Sequence, residues 1–196
     1  GTHRLLLHGR VNPNQPGDLE GMDELAARYK ISAWKTYTQW GPDGASGFFM
    51  DDEPGIRLIE KARKLGIRNI AIHKGLAFGP KSYEHSTCVD IGRVAKRYPD
   101  VNFLIYHSGF VANKTEGAYD AKRTEGIDAL VTSLLENSVK PGSNVYAELG
   151  STWRLAMRDP DTAAHTIGKL VKYCGENNVL WGTDSIWYGS PQDQIQ

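Results

Sequence analysis

Three strand-like apolar runs of this chain each lead into a side chain that can bind a metal or move a proton. His73 and His107 directly follow two of these runs, and Asp184 closes the third, which reads Val179-Leu-Trp-Gly-Thr. Imidazole and carboxylate groups are ligands that Zn, Mn and Fe accept. A bound metal lowers the pKa of water to about 7, and a nearby carboxylate can take the proton that the water loses. These residue types predict metal-assisted chemistry at one edge of a sheet.

Each of the three side chains also has a structural interpretation. A histidine at a strand end can be half-buried and bonded to a loop carbonyl, and Asp184 can cap the helix that follows it. Packing alone does not require such a residue at three strand ends. The recurrence therefore favours the catalytic interpretation over the structural one.

Further residues near strand ends are candidates for contacts with a substrate: Lys35, Tyr37, Trp40, Glu148, Trp153 and Trp187. Lys35 could bind a carboxylate of the substrate or, if it is itself carboxylated, bridge two metals. Alternatively, it is a structural lysine whose aliphatic part lies along apolar surface. Glu148 could equally well hold a metal-binding side chain in position or form a structural ion pair. The tryptophans can form the wall of a planar substrate pocket or simply cover the core. His8 lies either at a strand end or within a strand.

Six apolar runs of strand length alternate with segments of helical spacing. The runs cover residues 5–7, 33–37, 69–72, 101–106, 144–149 and 179–181. Helices are predicted over residues 18–29, 53–66, 90–98, 126–136 and 159–174, the last with Asp159 as its cap. This alternation predicts parallel strands with helices on the outside.

The architecture that fits this pattern is an α/β protein of the (β/α)8 TIM-barrel class, incomplete in its strands. A complete barrel has about 250 residues, and this chain has 196. A doubly wound sheet is the alternative, but it would show a GxGxxG turn after its first strand, and no turn here reads so. We therefore predict a single domain over residues 1–196, truncated at both ends, whose active site lies at the carboxyl ends of the strands.

Composition excludes several classes of partner. Lys plus Arg and Asp plus Glu both number 23, so there is no basic surface for nucleic acid or an anionic membrane. No apolar run approaches the roughly 18 residues of a membrane helix. Cys88 and Cys174 lie far apart and form no zinc or disulfide pattern, which favours a reducing compartment, the cytoplasm.

The strand-end motifs together resemble those of the amidohydrolase superfamily. They are Ile72-His73-Lys-Gly, Tyr106-His107-Ser-Gly, Tyr146-Ala-Glu-Leu-Gly and Leu180-Trp-Gly-Thr-Asp184-Ser. They are similar to the amidohydrolase-related (amidohydrolase 2) branch, which holds metal-dependent hydrolases and decarboxylases related to aminocarboxymuconate semialdehyde decarboxylase. The likeness extends from about residue 5 to the end of the chain, and its most specific element is the Trp-Gly-Thr-Asp run.

The resemblance implies a (β/α)8 barrel whose third to eighth strands are the six runs of this chain. It implies that His73 ligates a divalent metal, that His107 ligates a second metal or serves catalysis, and that Asp184 is both ligand and proton shuttle. Zinc is the implied metal, with Mn or Fe as alternatives, and a homo-oligomer acting on a small molecule is the implied assembly. The family's first strand carries a His-x-His pair that this chain lacks, so we expect a segment of a longer protein.

Three functions remain open at this point. The leading hypothesis is a metal-dependent hydrolase that uses metal-activated water on an amide, ester or lactone-like carbonyl, with Asp184 taking the proton. His107 would then stabilise the oxyanion or protonate the leaving group. The second is a metal-dependent, non-oxidative decarboxylase of an unsaturated or aromatic carboxylate. The third is a catalytically silent or truncated barrel.

Overall fold

A parallel sheet of six strands forms the centre of the molecule. The computed structural model describes residues 5–42, 47–78, 83–188 and 190–194. The strands are β1 (Leu7–Arg10), β2 (Ile31–Tyr37), β3 (Asn69–His73), β4 (Asn102–Tyr106), β5 (Val145–Glu148) and β6 (Val179–Leu180). They pair in chain order from β1 to β6, whereas a doubly wound sheet reverses its order. The fold is an incomplete (β/α) barrel, as the sequence predicted.

Helices connect the successive strands. They are α1 (Asp18–Arg28), α2 (Glu53–Lys64), α3 (Ile91–Arg97), α4 (Gly126–Glu136), α5 (Thr152–Ala156), α6 (Pro160–Cys174) and α7 (Ser185–Tyr188). The predicted cap of α6 is confirmed, because Asp159 Oδ1 accepts a hydrogen bond from the Thr162 N–H at 2.7 Å. The short helix α5 was not anticipated from the sequence, whereas α7 begins directly after Asp184, where a helix was one interpretation of that residue. None of the helices in the described ranges has the length and apolar character needed to cross a membrane.

Alternation along the strands separates the core from the inner face of the sheet. Trp34, Ile70 and Phe103 are fully buried in the hydrophobic core. In β2, the neighbouring Lys35 and Tyr37 point to the opposite face, since side chains alternate along a strand. Both cysteines of the chain are buried in this core as free thiols.

The prediction for the first strand was wrong. Residues 5–7 are apolar, but Leu5 and Leu6 are each 70% exposed, and pairing with β2 begins only at Leu7. Gly9 sets this register, because a Cβ there would lie 2.6 Å from the Trp34 ring. The strand therefore runs through His8, while the other five predicted strands match the observed ones to within two residues.

Close packing of α3 on α4 gives a testable prediction for stability. A Cβ on Gly92 would lie 1.9 Å from the Ser133 carbonyl oxygen, a backbone atom that cannot rotate away. We expect Gly92→Ala to lower the free energy of unfolding by about 2–3 kcal/mol in urea denaturation. Gly168→Ala in α6 is the matched control, because no atom lies within 4 Å of its added methyl group. That control should gain about 0.5–1 kcal/mol, and equal stability of the two variants would contradict the packing argument.

Candidate active site

The two strand-end histidines lie side by side. His73 is the last residue of β3 and His107 follows β4, its neighbour in the sheet. Their ring centres are 4.4 Å apart in a T-shaped arrangement. The Tyr37 ring also stacks on His73, with ring centres 5.2 Å apart. The sheet therefore brings together two imidazoles that are 34 positions apart in the chain (107 − 73).

His73 is held as a neutral imidazole. Its Nε2 is buried and has no hydrogen-bond partner among the described residues. The pKa of His73 is lowered to about 2, mainly by burial and also by the nearby His107 and Lys35, while backbone groups at Leu76 and Gly75 act in the opposite direction. A neutral imidazole with an available Nε2 is the form in which histidine binds a metal.

His107 is fixed in one tautomer by the backbone. Its Nδ1 lies 2.6 Å from the Gly150 carbonyl oxygen, and a carbonyl can only accept, so Nδ1 bears the hydrogen. Burial lowers the pKa of His107, although the Gly150 carbonyl acts in the opposite direction. Thr152 Oγ1 donates to the His107 carbonyl at 3.0 Å. The ring is thus oriented with its Nε2 available for chemistry.

Asp184 lies after β6 and is oriented by a serine. Its Oδ2 accepts a hydrogen bond of 2.6 Å from Ser151 Oγ. Ser151 is 1% exposed and adopts a left-handed backbone with φ of 55°, while Asp184 has φ of 52°. The side chain of Asp184 is thus bound from the turn that follows the neighbouring strand β5. The three candidates of the sequence therefore occupy the same edge of the sheet.

One turn holds both His107 and Asp184. The Gly150–Thr152 turn, which joins β5 to α5, contributes the Gly150 carbonyl, the Ser151 hydroxyl and the Thr152 hydroxyl described above. Sequence reasoning missed these residues. The available signal was a run of small polar residues, Gly-Ser-Thr, placed directly after a strand.

Glu148 binds the backbone beside the histidines. Its carboxylate accepts hydrogen bonds from the N–H groups of Gly150 at 2.7 Å and His107 at 3.3 Å. Burial raises the pKa of Glu148, and these two amides lower it in part. A Cβ on Gly182 would lie 1.9 Å from Glu148 Oε1, so the glycine of the Trp-Gly-Thr-Asp run makes space for this carboxylate. Glu148 therefore supports the position of His107.

An aromatic wall borders His73. Trp40 packs edge-on against Phe78 with ring centres 4.7 Å apart, and Phe78 lies 5.5 Å from the His73 ring. Tyr37 completes the wall at 5.6 Å from Trp40. Phe78 was missed by the sequence analysis, because a loop position gives no periodic signal. This wall provides an apolar boundary for a planar group beside the imidazoles.

The other two tryptophan candidates lie elsewhere. Trp153, in α5, is partly buried and packs against the hydrophobic core. Trp187, in α7, is 74% exposed. Neither has a ring contact with the wall residues in the described part of the chain, so their predicted substrate contacts stay predictions.

Lys35 lies on the inner face of the sheet, two residues before Tyr37 in β2. Its Nζ is 3.9 Å from the centre of the Tyr106 ring and 4.9 Å from that of Tyr37. Burial lowers the pKa of Lys35 to about 7, while the charges of Glu148 and Asp184 act to raise it. The Lys35 amine therefore loses its proton at a lower pH than an exposed lysine does.

The side chains of His73, His107 and Asp184 could provide some of the ligands of a metal ion. His73 offers a neutral ring and an Nε2 with no other partner, and Asp184 and His107 lie at the same edge. Within the described ranges, however, no three His, Cys, Asp or Glu side chains gather closely enough to hold an ion. These residues supply some of the ligands that a catalytic metal needs, and they do not form a closed site.

Comparisons with known proteins agree with this architecture. A family model described as amidohydrolase matches residues 11–194. A solved TIM-barrel protein of uncharacterised function from Bordetella bronchiseptica is similar, with a TM-score of 0.58 and 14% identity over 91% of this chain. The match covers 53% of that protein, so this chain spans about half its length, and the likeness is one of fold. No curated protein matches the chain.

Proposed function

Because the chain belongs to the amidohydrolase family, we propose that it carries out metal-dependent hydrolysis of an amide, ester or lactone-like carbonyl. The observation that supports this proposal best is the pair of adjacent, neutral imidazoles at the ends of β3 and β4. His73 contributes an unpartnered Nε2, and His107 is fixed with its Nε2 available. Neutral, oriented imidazoles suit metal binding and proton transfer.

In this proposal His73, His107 and Asp184 supply some of the ligands of a divalent metal, with zinc as the first candidate and Mn or Fe as alternatives. When bound, such a metal lowers the pKa of water and polarises a carbonyl oxygen. On the family resemblance, we also propose that the protein acts on a small molecule as a homo-oligomer. The two free cysteines support the proposal that it does so in the cytoplasm.

The protein side chains have separate roles in the proposed reaction. Asp184 accepts the proton from the attacking water, while the Ser151 hydroxyl keeps its Oδ2 in place. His107 faces the reacting carbonyl through Nε2, where it stabilises developing negative charge or protonates the leaving group. The wall formed by Tyr37, Trp40 and Phe78 excludes water from one side of the substrate.

Decarboxylation is the second candidate, and the aromatic wall is the observation that favours it. The aromatic rings beside His73 suit contact with an unsaturated or aromatic carboxylate. Product analysis separates the two reactions. Incorporation of labelled water oxygen into the product supports hydrolysis, whereas release of CO₂ without such incorporation supports decarboxylation.

Replacing His73 tests the proposed metal site. We expect His73→Ala to weaken Zn²⁺ binding by at least roughly 100-fold in a chelator competition, because it removes a proposed ligand. His165→Ala, on the exposed surface of α6, is the matched control and should bind Zn²⁺ as the wild type does. Circular dichroism verifies that both variants are folded. Unchanged affinity in His73→Ala would refute this ligand assignment and favour a catalytically silent barrel.

A further inference from the structure

Lys35 is a buried amine with aromatic neighbours and unused hydrogen-bond donors. The rings of Tyr106 and Tyr37 are its nearest partners, as described above. Its Nζ is shielded from solvent, and no described residue accepts a hydrogen bond from it. Aromatic faces attract an ammonium, but they do not satisfy three N–H donors as carboxylate oxygens do. The Lys35 amine therefore has hydrogen-bond donors that no described residue satisfies.

The two nearby carboxylates of the protein are not hydrogen-bonded to Lys35 Nζ. Glu148 and Asp184 act on Lys35 only through their charges, and neither accepts a hydrogen bond from its Nζ. Glu148 is bound by two backbone N–H groups, and Asp184 is bound by Ser151. A buried cation without a hydrogen-bonded partner is unfavourable, and binding an anion relieves that cost.

We propose that Lys35 binds a carboxylate group of the substrate. This inference rests on the proposed function, because the carboxylate is taken to belong to the compound that is hydrolysed. A charge-assisted hydrogen bond formed away from water is stronger than one at the surface.

The strand register indicates which compounds fit. Tyr37, His73 and Tyr106 occupy one layer across β2, β3 and β4, because Tyr37 pairs with His73 and His73 pairs with Tyr106. Lys35 Nζ contacts two of those rings, so a carboxylate bound there lies in the same layer as His73. The substrate class that fits is a small carbonyl compound with a carboxylate close to its reacting carbon.

Calorimetry with benzoate and benzamide tests this subsite without any need for turnover. In EDTA at about pH 6, where most of the Lys35 amine is protonated, we expect the wild type to prefer benzoate by at least roughly tenfold. Lys35→Met should lose this preference, because Met has similar length and no charge. Lys96→Met, which removes an exposed lysine of α3, is the matched control and should keep it.

A labelling experiment gives the same test without a variant. Acetic anhydride reaches the buried Lys35 amine only when the site opens, so saturating benzoate should slow the acetylation of Lys35 in the wild type, while that of Lys96 stays unchanged. Equal affinity for benzoate and benzamide, a preference that survives in Lys35→Met, or the lack of protection would each overturn the proposal. Since EDTA removes metal, these results do not depend on hydrolysis. Hydrolysis of neutral esters without a benzoate preference would retain the proposed function and reject the Lys35 subsite.

Discussion

Asp184→Asn should lower kcat for ester hydrolysis by roughly 10³-fold, the loss expected when a general base is removed. Asn has the same shape, and its carbonyl oxygen can still accept the hydrogen bond from Ser151 Oγ that is 2.6 Å long in the wild type. The fold and the position of the side chain are therefore preserved, while the ability to take a proton is lost. Steady-state turnover of p-nitrophenyl acetate in Zn²⁺-loaded protein measures the effect.

Asp161→Asn provides the control for Asp184→Asn. Asp161 is an exposed residue in the first turn of α6, and its replacement should leave kcat at the wild-type value. Unfolding midpoints of both variants should lie close to that of the wild type. Full activity in Asp184→Asn would show that this carboxylate does not accept the proton, and the mechanism would then need another base.

Lys74→Met should lower the free energy of unfolding by about 3–5 kcal/mol, the usual cost of leaving a buried charge without its partner. Lys74 and Asp90 are both 0% exposed, and Nζ lies 3.0 Å from Oδ2. Nζ also donates to the His85 carbonyl at 3.0 Å, and Oδ2 accepts from the Met50 N–H at 2.7 Å. The pair therefore connects the end of β3 with two loops. Urea denaturation measures the loss.

The double variant Lys74→Met/Asp90→Asn separates the unpaired charge from lost packing. Asn is neutral and its carbonyl can still accept from the Met50 N–H, so the double variant should recover much of the stability lost in Lys74→Met. A double variant as unstable as the single one would show that the shape of Lys74, and not its charge, is what the core requires.

The sequence revealed those parts of the fold that follow from local periodicity. Apolar runs and helical spacing located five strands and five helices, and the histidines at strand ends followed from the parallel order. Apolarity alone misplaced β1, because pairing depends on how Gly9 meets Trp34 across the sheet. The position of β1 therefore depends on a contact between strands, which the local sequence does not show.

The supporting contacts of the site could not be derived in this way. The Ser151–Asp184 hydrogen bond joins residues 33 positions apart, and the space that Gly182 leaves for Glu148 arises only when β5 and β6 pair. Neither relation leaves a periodic pattern in the chain. The sequence could name the reactive side chains, but the residues that orient them come from separate segments.

The left-handed backbone at the site has a consequence for directed evolution. His107, Ser108, Ser151 and Asp184 all have φ between 52° and 66°, a region that costs a non-glycine residue about 1 kcal/mol or more. A library screened only for heat resistance would enrich glycine at these positions, since glycine relieves that cost. Such selection would erase the side chains on which the proposed catalysis depends, so thermostability screens of this barrel need activity as a second criterion.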